Sequence, residues 1–548
     1  MKKILSLVLA LTIVLGLCAC GGNKTNTPGG ELTADGRVKL TIGVPTNALV
    51  MDLDNNALTK WVEEECGVEI EFQQFAAGSE IGTQISTSIA AQQQLPDMII
   101  GANVGEKFIS KYGKDGYFVD LTDFYEDRDG ASKVFWDRVE NEMNEYEQAI
   151  VNAELYDPAT GRVYVMPTIE TSLIDKMQFQ PWINTEWLDK VGLDMPTNID
   201  ELYEVLVAFK TKDPNGNGLK DEIPLLGSET GGTCAHVVDW IINMFCYYNS
   251  SRPYEVDENG KLSLVVTSDA YREALKFVNK LYKEGLLTTL AWSASSAEIK
   301  QLATPSSGVA MAGIFVGHLT IHTAIDNEVM YQYKAIPYWG NVVRNDMSFT
   351  KANFITETAE QRGTVEKCFE VAMKFASWDG SMRARYGEFG VNWDMPDEGS
   401  KSDLGLDATF KIIRDPLKEQ NTVRWGSMGP AVNIYAEMET AQIADNMSKW
   451  GATKSAMHAE SYQNFLWAEE NNNPDEIVRK LYPTAEEEEQ IEAVRKNVKD
   501  KYNKAQTDFG TGVLNPNNDA DWNKYIQELE SLGLNEYTQY LQMLYDRS

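Results

Sequence analysis

Between Lys212 and Pro224 the chain reads Lys-Asp-Pro-Asn-Gly-Asn-Gly-Leu-Lys-Asp-Glu-Ile-Pro, a run dense in oxygen donors. Asp213, Asn215 and Asn217 alternate, so a tight loop can turn all three side chains inward. Gly218 stands where such a loop must bend sharply, Leu219 can offer its backbone carbonyl, and Asp221 and Glu222 close the far side. This inventory suits Ca²⁺, a hard cation that takes six to eight oxygens in flexible geometry. The spacing departs from the EF-hand loop at its last ligand. Position 12 is Pro224 rather than a bidentate Glu, so Glu222, two residues earlier, must take that part. Polar Pro/Asn/Gly turns are common without a metal, but alternating donors ending in paired acids exceed what a turn requires. A single loop of this kind is more often a structural clip than a catalyst.

Other reactive constellations are weaker. His318 and His322 are four apart and could share a helix face, but no Glu stands between them in the zincin pattern and no third ligand is evident. They read as two partly exposed histidines. There is no Gly-x-Ser-x-Gly elbow and no Gly-x-x-x-x-Gly-Lys phosphate loop. Carboxylates are abundant, so counting alone leaves a glycosidase acid/base pair open. A surface scaffold module is the third class, but one calcium loop in 548 residues lacks the paired repeats such modules use.

Elements must position that loop. Lys2 and Lys3 precede an apolar run, Ile4 to Leu17, too short to span a bilayer comfortably. It ends in Leu17-Cys18-Ala19-Cys20-Gly21-Gly22, which looks like a bacterial lipoprotein box with Cys20 as the lipidated mature N-terminus. A diacylglyceryl group supplies the more than one chain that stable anchoring needs. Residues 21–37 have the composition of a flexible tether. The body that follows is long enough for two or more cores. The full chain's net charge of −33, to which Lys2 and Lys3 of the leader contribute positively, argues against nucleic acid or an anionic lipid surface as partner. Cys66, Cys234, Cys246 and Cys368 lack metal-ligand spacing, and sequence cannot say whether or how they pair.

Along that body, Val38 to Val44 and Val68 to Phe72 alternate like strands, with a helix over Asn56–Glu65 between them. Residues 82–94 read as a helix and Leu95 to Ile100 as a short buried strand. A β-α-β-α-β beginning implies an open parallel sheet with ligands at the carboxyl ends of its strands. Gly161 to Pro167 reads as another strand, and Asn198 caps a helix that runs into the calcium loop. Ala270–Glu284 and Thr364–Trp378 read as helices and Ser307–Val316 as a buried strand. The four Glu of 486–489 read as a solvated helix start.

Together, the lipobox, Leu95-Pro96-Asp97, Tyr112-Gly113, Gly161 to Pro167, the block Trp187 to Pro224, Lys283-Glu284-Gly285-Leu286 and Asp521-Trp522-Asn523-Lys524-Tyr525 resemble the family 1 extracellular solute-binding lipoproteins of bacterial ABC importers. The similarity is to the large branch that includes alginate- and other oligosaccharide-binding proteins. It implies a two-lobed α/β fold of the type II periplasmic-binding-protein kind, with a hinge and extra C-terminal helices. It also implies a structural Ca²⁺ held by Asp213, Asn215, Asn217, Leu219, Asp221 and Glu222. The expected layout is a signal peptide at 1–20 and a tether at 21–37, lobe 1 at 38–168 and 350–395, and lobe 2 at 169–349 and 396–548. Crossings are expected near 168–178, 347–353 and 392–398. The implied protein is a monomeric, non-enzymatic receptor on the outer face of a Gram-positive cell membrane, passing an oligosaccharide to permease subunits. A non-sugar solute is the alternative within the same family.

A sugar needs aromatic platforms beside short polar side chains. Of thirteen Trp, Trp61, Trp187 and Trp522 read as packing. Trp240, Phe315 and Trp393 stand where strands end or the chain crosses, with Trp182, Trp292 and Trp339 behind them. Asn47, Asn103 and Glu170 follow strands expected to point into the cleft and are the hydroxyl partners.

Overall fold

Alternating apolar residues build the first sheet. In the strand Val38–Pro45, Leu40, Ile42 and Val44 are buried on one face, and its neighbour Val68–Phe75 alternates in the same way. The two run parallel in register from Val38↔Val68 to Pro45↔Phe75. Met98–Ile99 adds a third parallel strand, and Phe354–Ile355 closes the sheet antiparallel, giving the order 354–355, 98–99, 38–45, 68–75. This is a computed structural model describing residues 30–547 apart from 172–176, 415–419, 427, 434–439, 445–448 and 473–479. The signal peptide, Cys20 and most of the tether lie outside the described residues.

Period-two alternation puts Met98 in the core on one face of the sheet and Ile99 in the core on the other. Helices Ala57–Cys66 and Val365–Ala376 cover the first face, and Glu80–Ala90 and Glu106–Lys114 the second. Asn56 caps its helix by accepting from Leu58 N–H, and Gly67 ends it in the left-handed conformation at φ 61°. Leu95-Pro96-Asp97 has a structural reason. Asp97 is wholly buried and accepts from Thr41 N–H and Oγ1, both at 2.7 Å, from Thr364 Oγ1 at 2.9 Å, and from the Arg362 guanidinium. That network fastens the central strand to the helix that follows Phe354–Ile355.

Val163 to Met166 is buried throughout but is not a strand, contrary to the expectation for Gly161–Pro167. Its hydrogen bonds go to different partners, Leu121 N–H to Val163 O and Met166 N–H to Asn353 O, so no ladder forms. Strand pairing begins at Thr168–Glu170, which lies antiparallel to Ser348–Thr350 and parallel to Val432–Asn433. Buried apolar side chains before this small sheet pack on the two faces of the first sheet, while those from Met177 to Val343 and from Trp450 onward form a second core. Trp425, Ala431 and Val432 pack in the first core, which differs from the expectation that all of 396–548 lies in lobe 2.

The second core surrounds a sheet ordered Tyr333–Ala335, Pro181–Asn184, Ala312–Val316, Ile223–Leu226. Only the last pair is parallel. The helices Asp269–Lys283, Lys449–Asn472, Ala485–Thr511, Asp519–Ser531 and Leu534–Arg547 enclose it. The acidic start of Ala485–Thr511 is a capping box, Thr484 with Glu487. Among the described residues Cys66, Cys234, Cys246 and Cys368 form no disulfide, and no helix is long and apolar enough to cross a membrane.

Candidate functional site

The parallel strands of the first sheet end together, and their carboxyl ends line a cavity of about 430 Å³. Pro45 ends the first strand and Thr46 and Asn47 follow it, Ala77 and Gly78 follow the second, and Gly101 and Asn103 the third, with Met428 completing the lining. Asn103 also lines an adjoining cavity with Thr83, Thr87 and Phe108. Open α/β sheets collect ligands at this edge. Asn47 accepts from Leu49 N–H at 2.9 Å through its Oδ1, which fixes the side chain. Gly426, at φ 70°, allows that approach: a Cβ there would stand 2.1 Å from Asn47 Nδ2. Asn103 is exposed. Glu170 is elsewhere, in the small central sheet, with its carboxylate 3.3 Å from Arg385. Met428 was not anticipated; nothing local marks a methionine so distant in sequence as a neighbour of Gly101.

The three aromatic candidates are placed differently from expectation. Trp240, Phe315 and Trp393 are 4%, 0% and 1% exposed. Phe315 lies between Trp182 and Tyr333, Trp240 packs against Trp339, and the Trp393 indole donates to Gly387 O at 3.0 Å within a satellite cluster. In this conformation none presents a ring face to solvent, because each fills a gap between elements that sequence could not bring together. Trp182 is fully buried, while Trp292 and Trp339 are half-buried. His318 and His322 are also buried, not partly exposed; His322 Nε2 lies 2.9 Å from Gly231 O and its Nδ1 3.2 Å from His318 O.

The 213–222 loop joins the helix Ile199–Thr211 to the strand Ile223–Leu226. Asn198 caps the helix through Asp200 and Glu201 N–H. The turn then needs left-handed backbone at Asp213 (φ 48°), Gly216 (φ 72°) and Gly218 (φ 76°). Gly218 N–H donates to Asp213 Oδ2 at 3.0 Å, Asn217 N–H to Asn215 Oδ1 at 3.0 Å, and Leu219 N–H to Asn217 Oδ1 at 2.7 Å. Asn215 and Asn217 each donate to Asp221 at 3.1 Å. Asp213 Oδ1 and Glu222 Oε1 remain buried with no donor. Burial pushes the Glu222 carboxyl up, and the charges of Asp213 and Asp221 push it further. Three carboxylates crowded together with two buried oxygens unbonded is a donor set that a hard cation fits, and each Asn oxygen keeps a second lone pair.

The profile of the bacterial extracellular solute-binding protein family matches residues 50–363. The fructooligosaccharide ABC transporter substrate-binding protein FusA of Streptococcus pneumoniae is 24% identical, over 99% of this chain and 97% of its own. FusA in complex with kestose superposes with a TM-score of 0.67 at 22% identity, covering 93% of this chain and 99% of FusA. An EF-hand mutant of FusA in complex with fructo-nystose superposes with a TM-score of 0.66 at 20% identity and the same coverage. The sheets and helices described above are the two-domain, periplasmic-binding-protein-like fold these structures share. With its parallel-sheet cleft and more than half its length matched, the chain belongs to the bacterial extracellular solute-binding protein family.

Proposed function

We propose that this chain is the lipid-anchored receptor of an ABC importer, capturing an oligosaccharide by closing two lobes and handing it to the permease without chemistry of its own. The observation that carries the reading is the cavity at the carboxyl ends of the first sheet, where Asn47, Thr46 and Asn103 offer hydrogen bonds beside the apolar Met428. Short polar groups beside apolar surface suit a sugar ring with its rim of hydroxyls. FusA, aligned along nearly the whole chain, supports a carbohydrate as the solute. The three-stranded sheet of 168–170, 348–350 and 432–433 would be the hinge, with the third crossing after Asn433 rather than at 392–398. A ligand touching both lobes favours the closed state by its extra contacts there.

Asp213, Asn215, Asn217, the Leu219 carbonyl, Asp221 and Glu222 would hold Ca²⁺, which supplies the positive charge that the three carboxylates lack. The EF-hand of FusA supports this assignment. Cys20 would carry the lipid and keep the receptor, a monomer, on the outer face of the membrane. Calorimetric titration with a fructooligosaccharide panel tests the reading: saturable binding without new reducing ends supports it, and turnover would replace it with a glycosidase.

A further inference from the structure

The segment after the strand Ile223–Leu226 carries a second set of metal-competent side chains, far from the calcium loop in composition. Glu229, His236 and Asp239 place one ligand atom each within 4.8 Å of one another. Asp239 sits on the helix Val237–Ile242 and is 1% exposed. Its Oδ1 accepts from Gln506 Nε2 at 3.2 Å, which turns Oδ2 toward the imidazole. Asp239 Oδ2 and His236 Nδ1 then face each other at 3.6 Å, and both are buried atoms without a hydrogen-bond partner. That separation is too long for a good hydrogen bond. It is close to the spacing of about 3.4 Å between two ligands of one tetrahedral ion with bonds of about 2.0–2.1 Å.

Charge points the same way. Glu229, half-buried, and Asp239, 1% exposed, bring two carboxylates together, and among the described residues neither has a Lys or Arg ion pair. A divalent cation would supply the positive charge that this half-buried pair of carboxylates lacks. Glu229 Oε1 already accepts from Val238 N–H at 2.7 Å, which orients the carboxylate on the cluster. A hard ion such as Ca²⁺ prefers an all-oxygen shell, whereas an imidazole with carboxylates suits a borderline divalent ion.

We propose that Glu229, His236 and Asp239 form a second metal site, selective for a borderline divalent transition metal such as Zn²⁺, with one position left to water on the open side of His236. Gln506 is its positioning residue, holding Asp239 as outer-shell partners hold ligands. Because Gln506 belongs to the helix Ala485–Thr511, the ion would tie the loop 227–236 to the C-terminal helices that enclose the second lobe.

Equilibrium dialysis of the purified full chain against Co²⁺, with Ca²⁺ in excess, tests the site. One Co²⁺ per chain is expected, with visible absorption bands of a nitrogen-ligated ion, and Zn²⁺ should displace it. His236→Ala should weaken binding by at least about 100-fold, beyond the 10–100-fold typical of losing an outer-shell partner. His236→Gln and Gln506→Ala serve if that variant is unstable, and Asp213→Ala should leave Co²⁺ binding intact. No Co²⁺ bound by the wild type, or equal binding by wild type and the folded His236 variants, overturns the proposal and leaves a carboxyl pair sharing a proton.

Discussion

The Tyr146 hydroxyl donates to Asp346 Oδ1 at 2.9 Å, while the Arg252 guanidinium lies 3.2 Å from the other carboxylate oxygen. Tyr146, on the helix Glu145–Leu155, packs against the first core, Arg252 lies between Tyr248 and Tyr254 of the second core, and Asp346 stands two residues before the strand Ser348–Thr350. Burial and the Asp346 charge push the Tyr146 phenol above its ordinary range, so it remains a donor at neutral pH. Asp346→Asn leaves Arg252, only 13% exposed, without its counter-charge. The expected cost is about 1–3 kcal/mol, measured as a lower urea midpoint; an unchanged midpoint would show that this contact does not couple the lobes.

Glu154 on the same helix lies 3.3 Å from Lys351 and also pairs with Lys480, which precedes the C-terminal helices. Burial alone would raise its carboxyl, but the two ammonium groups outweigh it and the net direction is down. A depressed carboxyl contributes stability above its unfolded pKa, and that contribution is lost as pH falls through the folded value. Glu154→Gln should therefore be less stable than wild type at pH 7, and the difference should vanish in acid below that depressed value. A gap that persists or widens in acid, in thermal melts across the pH series, would contradict this.

Gly426→Ala probes the cavity without removing a polar group. The added methyl would meet Asn47 Nδ2 at 2.1 Å in a left-handed backbone, so Asn47 must leave its place. Sugar affinity should drop more than Asn103→Ala lowers it, the latter losing about 1 kcal/mol, or about fivefold. Wild-type affinity for both variants in calorimetry would move the binding site off this edge.

Asp213→Ala should melt at the same temperature with or without calcium, matching the chelated wild type. A cation at 100 times its dissociation constant stabilises by about 2.7 kcal/mol, so the wild type should shift visibly. Sugar affinity of the folded variant should stay within about twofold, because the loop lies beyond the helix Ile199–Thr211 and not at the cavity; a large loss would make the ion part of the binding site.

Local chemistry made much of this legible. The caps at Asn56 and Asn198, the alternation in 38–45 and 68–75, and the oxygen pattern of 213–222 are each set by neighbours a few residues away. The Gly161–Pro167 run shows where that stops: it reads as a strand, but pairing depends on where Leu121 and Asn353 lie. Trp240, Phe315 and Trp393 went the same way, since a large aromatic near a strand end fits a core as well as a cleft and only long-range packing decides. Met428 beside Gly101, and Glu229 beside Asp239, are likewise products of the fold rather than of spacing.

Calorimetric titration of the calcium-loaded protein with kestose and longer fructooligosaccharides tests the central claim, with other oligosaccharides as the remaining arms. One sugar bound per chain, weakened by Asn103→Ala and released without hydrolysis, is the result the two-lobed receptor predicts. No saturable binding of any oligosaccharide by the folded protein, or the appearance of new reducing ends, would contradict it.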